Sequence, residues 1–226
     1  MNPPSVSPMI RVLLGLFALS GFALAATQLS ACNDDEGGAC DPDCPTCVGE
    51  ACTEVCVDRE CQLGCEQGAD CSLECEGGGC VLDCASKSDC TTDCSVEGNC
   101  DASCEGQSSC DIDCSEAGGC DLDCAGGSDC NVECLTDCGG GCTGNSNCTM
   151  TCDTGCDIGC TGNGTCSLAC TKDCFVCCKG SGTCELTCSD ADVVECEGGN
   201  GSETIKACGE CPSPDSCQYG AEEEEK

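Results

Sequence analysis

Cysteine is the residue type with the most chemistry to offer in this chain, at 39 of 226 residues. A thiolate is a nucleophile and a soft-metal ligand, whereas two oxidised thiols form a covalent staple. From Cys61 to Cys134 the spacing is Cys-x3-Cys-x5, repeated as Cys61/Cys65, Cys71/Cys75, Cys80/Cys84, Cys90/Cys94, Cys100/Cys104, Cys110/Cys114, Cys120/Cys124 and Cys130/Cys134. Thiolate metal chains run denser than this, and only fragments such as Cys177-Cys178 and Cys208-x2-Cys211 have a spacing that a metal site could use. In an exported chain such a grid reads as disulfides.

Catalysis has little to stand on. There is no histidine, which removes the commonest general base, every Ser-His or Cys-His dyad and all imidazole ligands. Acid pairs such as Asp111/Asp113 sit two residues apart on what reads as an exposed surface, with nothing apolar there to raise a pKa. The expectation is a protein that is not an enzyme.

The second reactive class is the carboxylates, 42 Asp and Glu against 7 Lys and Arg, for a net charge of −35. Such a charge excludes nucleic acid as a natural partner. If ten-residue units stack, Asp111 lies beside Asp101 and Asp121, and Asp113 beside Asp123, about 4.8 Å apart. Like charges at that spacing repel, and calcium would relieve them. Asp111, Asp113, Asp121 and Asp123 are therefore the candidate metal ligands. Solubility is the simpler role of the same charge.

These groups need elements to hold them. A ten-residue period, with one nine-residue step from Cys71 to Cys80, belongs to stacked repeats. Within a unit, positions i, i+2 and i+4 of an extended strand share one face. Both cysteines therefore point inward with one residue between them: Leu63, Leu73, Leu82, Thr92, Ala102, Ile112, Leu122 or Val132. Positions i+1 and i+3 point out and are mostly polar. The x5 segments are turn material, and two positions before the next cysteine the residue is small: Ala69, Ser88, Gly98, Ser108, Gly118, Ser128. Helices are excluded by glycine, 31 of them spread through the chain. From Cys130 the spacing changes, and Cys130, Cys148, Cys166 and Cys184 lie 18 residues apart.

The expected fold is all-β: a small, loop-rich, disulfide-stapled β-solenoid of ten-residue coils followed by 18-residue coils. Twelve or so rungs would give a rod of about 55–60 Å. With one Tyr, no Trp and few large aliphatics, cross-links must replace much of the apolar core. Cysteines within one strand are about 13 Å apart and cannot pair. Two pairings remain open for Cys61, Cys65, Cys71, Cys75, Cys110, Cys114, Cys120 and Cys124. One joins neighbours on adjacent rungs. The other, slightly favoured, crosses the coil after each turn, as Cys65 to Cys71.

The apolar run Val12–Ala26 is shorter than a spanning helix and is followed by small residues, as in an export signal. Leu29-Ser30-Ala31-Cys32 resembles the lipobox of bacterial lipoproteins. The resemblance implies cleavage before Cys32, acylation of that cysteine and anchorage to a membrane. Setting Cys32 aside leaves 38 cysteines, an even number. The expected layout is a signal peptide at 1–31, a lipidated tether at 32–39, an N-terminal cap at 40–51, the cysteine-repeat solenoid at 52–188, a C-terminal cap at 189–221 and an acidic tail at 222–226. The short coil is similar in principle to the disulfide-rich antifreeze solenoids of beetles, without their regular Thr-x-Thr ranks. More broadly the chain resembles the Cys-repeat lipoproteins of myxobacteria.

The resulting expectation is a lipid-anchored structural or interaction module of the bacterial cell envelope, at the outer membrane, with an envelope or surface protein as its unnamed partner. The rival is metal sequestration, through calcium on the acidic face or soft metals on thiolates.

Overall fold

The computed structural model describes residues 46–57, 61–77, 79–94, 99–197, 203–213 and 216–217. The leader, Cys32, the tether, the first part of the expected cap and the acidic tail lie outside the described residues.

Eighteen strands follow one another: β1 (Cys47–Val48), β2 (Ala51–Cys56), β3 (Gln62–Glu66), β4 (Asp70–Cys75), β5 (Val81–Cys84), β6 (Asp89–Cys94), β7 (Asp101–Cys104), β8 (Ser109–Gly118) and β9 (Asp121–Cys124). They continue as β10 (Asp129–Thr136), β11 (Gly139–Cys142), β12 (Asn147–Thr154), β13 (Asp157–Gly162), β14 (Thr165–Lys172), β15 (Phe175–Gly180), β16 (Thr183–Cys188), β17 (Val193–Glu197) and β18 (Glu203–Cys208). The odd strands β1 to β15 form one parallel sheet, closed by β18 and β17, and the even strands form a second, 8-stranded parallel sheet. The chain is a β-solenoid, and each coil contributes one strand to each sheet.

One expectation is corrected here. The ten-residue unit is half a coil, not a coil. Cys90 pairs in register with Cys110, and Cys110 with Cys130, twenty residues on each time. From Cys130 the step is 18, to Cys148, Cys166 and Cys184. The coil therefore shortens slightly along the rod rather than widening, because the turn between Cys134 and Cys138 has three residues where earlier ones on that edge have four or five. The physical reason is that a strand with one apolar face needs an opposing layer. Two successive units face each other and close the coil. The rod is correspondingly shorter: seven steps between eight strands at about 4.8 Å give about 34 Å.

Strand alternation sets the core. In β6, Cys90, Thr92 and Cys94 are buried while Asp89, Thr91 and Asp93 are exposed. Each coil buries one central residue per sheet, such as Leu63 with Leu73, Leu122 with Val132, and Ile158 with Leu168. Gly140 holds this central position in β11. A β-carbon there would lie 2.7 Å from the Leu122 carbonyl oxygen, so the rung has no room for a side chain. In the same coil Met150 is fully buried.

The small residues before alternate cysteines form an internal ladder. The Ser88 N–H donates to Ser108 Oγ (3.3 Å), the Ser108 N–H to Ser128 Oγ (3.2 Å) and the Ser128 N–H to Ser146 Oγ (3.2 Å). The hydroxyls of Ser88, Ser108 and Ser128 donate back to Ala85, Glu105 and Ala125 carbonyls. Buried turn backbone thereby finds partners within the chain. At the C-terminal end β18 runs antiparallel to β15 and β17, so the parallel stack stops. The Lys206 ammonium donates to the Cys184 carbonyl at 2.8 Å, which occupies one group on the edge of β16.

Candidate functional site

The disulfides join the two sheets along both edges of the flattened coil. On one edge run Cys47–Cys52, Cys65–Cys71, Cys84–Cys90, Cys104–Cys110, Cys124–Cys130, Cys142–Cys148, Cys160–Cys166 and Cys178–Cys184. On the other run Cys56–Cys61, Cys75–Cys80, Cys94–Cys100, Cys114–Cys120, Cys134–Cys138, Cys152–Cys156, Cys170–Cys174 and Cys188–Cys208. Of the two pairings that spacing leaves open, this is the crossing one. Cys177–Cys217 and Cys196–Cys211 fasten the C-terminal segment. Every described cysteine is disulfide-bonded, so none is available as a thiolate ligand or nucleophile in this oxidised chain.

The strand geometry explains the choice. Inward cysteines end each strand at the edges of a two-layer coil, and the turn brings their Cα atoms to 6.2–6.6 Å across the edge in bridges such as Cys142–Cys148 and Cys114–Cys120. That lies inside the bridgeable range. Backbone amides also reach the sulfurs of the neighbouring rung: the N–H groups of Cys120, Cys138 and Cys156 donate to the Sγ atoms of Cys138, Cys156 and Cys174 at 3.3–3.4 Å.

The candidate metal ligands are not brought together. Asp111 and Asp113 are on the 8-stranded sheet, and Asp121 and Asp123 on the 10-stranded one. Asp111 lies between Thr91 and Asn131, and Asp113 between Asp93 and Glu133. Asp121 lies between Asp101 and Gly139, and Asp123 between Ser103 and Gly141. The expected stacking of Asp111 on Asp101 and Asp121, and of Asp113 on Asp123, is overturned by the doubled coil: residues ten apart are on opposite faces.

Two other arrangements of acids emerge. Glu74, Asp93, Asp113 and Glu133 form a column over four successive strands of the 8-stranded sheet, all exposed. No Lys or Arg occurs between Lys87 and Lys172 to offset it. A shallow groove of about 370 Å³ runs over this face, lined by Asp93, Asp111, Asp113 and Glu133 with Thr91 and Asn131. On the opposite sheet Asp121 and Asp157 flank Gly139, each one rung from it. Burial pushes the Asp157 carboxyl up to about 6, and Asp121 adds to the shift. Asp121 is also raised, by burial first and then by Asp101 and Asp123. Asp157 Oδ2 is buried without a hydrogen-bond partner. Aligning the sequence at nineteen and twenty residues instead of ten would have found the column. Asp157 had no such signal, because its burial is a tertiary fact.

No family model, no curated protein and no solved structure matches this chain.

Proposed function

We propose that this protein is a non-enzymatic, lipid-anchored rod of the bacterial cell envelope. Its disulfide-stapled coils would serve as a rigid structural or interaction module held at the outer membrane through Cys32, with an envelope or surface protein as its partner. The observation that carries the reading is the pair of disulfide spines. Thiols are kept reduced in most cytosols, and bridges persist in oxidising compartments. The Leu29–Cys32 tetrapeptide supports anchorage, since two or three acyl chains hold a protein to a bilayer far more firmly than one. The test is Cys32→Ser followed by fractionation. Unprocessed or mislocalised precursor is expected; normal processing with an unchanged membrane fraction would overturn the anchor.

The second reading is calcium binding on the acidic faces. It is favoured by the column Glu74, Asp93, Asp113 and Glu133 and by the Asp121–Asp157 pair, because hard cations take oxygen ligands and relieve such repulsion. On this reading calcium raises the melting temperature above sodium at matched ionic strength, and Asp93→Asn with Asp113→Asn reduces the increment. Equal stabilisation by sodium would mean screening alone.

A further inference from the structure

Neighbouring bridges in each spine bring sulfurs within 4.8 Å of one another, and at one place to 3.8 Å. Cys134 Sγ lies 3.8 Å from Cys156 Sγ, although each is bonded elsewhere, to Cys138 and Cys152. On the same edge, the Sγ atoms of Cys94, Cys100 and Cys120 are all within 4.8 Å of one another. On the other edge, so are those of Cys65, Cys71 and Cys90, and those of Cys84, Cys104 and Cys110. Each trio joins one bridge to the next. A second observation concerns access. The described cysteines from Cys56 to Cys174 are buried, whereas partly exposed ones occur only towards the ends, at Cys52, Cys178, Cys188, Cys196 and Cys217, with Cys211 exposed.

We propose that each spine is a path for thiol–disulfide exchange, along which a thiolate passes from coil to coil through the interior of the rod. It rests on the disulfide pairing and not on the envelope reading. Exchange starts when an external small-molecule thiol attacks a terminal bridge, forms a mixed disulfide with one cysteine and releases the other as a thiolate. Each later step is internal and electron-neutral. With Cys134 as thiolate, its sulfur attacks Cys156 Sγ; the Cys134–Cys156 bond forms, the Cys152–Cys156 bond breaks, and Cys152 leaves as thiolate. The 18-residue repeat then sets Cys152 against the Cys170–Cys174 bridge in the same way. The new bond runs diagonally, because Cys134 stacks in register on Cys152 and not on Cys156. A rung of about 4.8 Å combined with the 6.3 Å Cys152–Cys156 edge puts the two Cα atoms about 8 Å apart, so the turn backbone must close by roughly 1 Å as the bond forms. Attack on a sulfur already in contact has the advantage of an intramolecular reaction, and burial of the thiol makes the thiolate fraction limiting. A break at one bridge is thus shared along the spine, and the interior exchanges with solvent thiols only through its ends.

The test starts a thiol inside one spine. In Cys138→Ser, Cys134 is left unpaired. After incubation near neutral and mildly alkaline pH, acid quenching, alkylation and non-reducing peptide mapping locate the free thiol. The proposal expects a Cys134–Cys156 bridge and label at Cys152 comparable to that at Cys134, growing with pH. Label on Cys134 alone with Cys152–Cys156 intact would overturn it. Should the variant not fold, wild-type protein exposed to substoichiometric glutathione decides. Bridges between neighbouring rungs far from the ends support the path; native pairs throughout, with thiols confined to the terminal bridges, refute it.

Discussion

Asp121 and Asp157 stand on either side of Gly139, and a β-carbon added to that glycine would lie 3.5 Å from Asp121 Oδ1 and 3.7 Å from Asp157 Oδ1. Two carboxylates two rungs apart thus lean over a position that has no side chain. Burial, and secondarily the Asp121 charge, raise Asp157 to about 6 from an ordinary 3.8. The folded chain therefore holds this proton more tightly than the unfolded chain does. Its charged form is a penalty that is complete above the folded pKa and relieved as pH falls from about 6 towards 4. Melting temperature should be higher near pH 5 than near pH 7.5. Asp157→Asn should raise the value at the higher pH and flatten the difference. A variant with the wild-type slope would show that other carboxylates dominate.

Reduction should abolish the fold. Each coil buries at most two central side chains besides its cysteines, and a bridge contributes roughly 2–4 kcal/mol. Far-UV circular dichroism should change from β-rich to coil when all bridges are reduced. A β spectrum that survives complete reduction would place the stability elsewhere.

Thr92 is a polar residue in the central column of the core, 4 % exposed, with Oγ1 buried and unpartnered. Its sheet neighbours are Leu73 and Ile112. Thr92→Val keeps the shape and removes the orphaned hydroxyl, which costs on the order of 1–3 kcal/mol when unsatisfied. The variant should be more stable, by about 1 kcal/mol or more in denaturant unfolding under oxidising conditions. A less stable variant would mean that the hydroxyl is satisfied in solution.

Gly140→Ala should destabilise. The added methyl meets the Leu122 carbonyl oxygen at 2.7 Å and the Leu122 side chain at 3.1 Å, and overpacking of this kind costs roughly 1–3 kcal/mol. Gly139→Ala, on the outward face of the same strand, meets only carboxylate oxygens and serves as the control. Equal melting temperatures for the two variants would show that β11 can shift to make room.

The sequence by itself determined which residues face inward. Alternation about each cysteine pair needs only the two-residue period of a strand, and it holds in β4, β6, β10 and β12. It also determined that the fold is a β-solenoid, because a strict repeat with one apolar face must stack to bury that face. The crossing of each turn by a disulfide was legible as one of two geometries.

What the tertiary structure alone decided is which unit lies on which. A ten-residue period is equally consistent with a coil of one unit or of two, since both put the same residues inside. Closure of the layer requires a facing strand, and that requirement doubles the coil. The doubling moves Asp111 away from Asp101 and Asp121, builds the column from Glu74 to Glu133, and buries Asp157 beside a glycine. Neighbour relations between rungs depend on the length of the closed path, which is a property of the folded backbone and not of any local pattern.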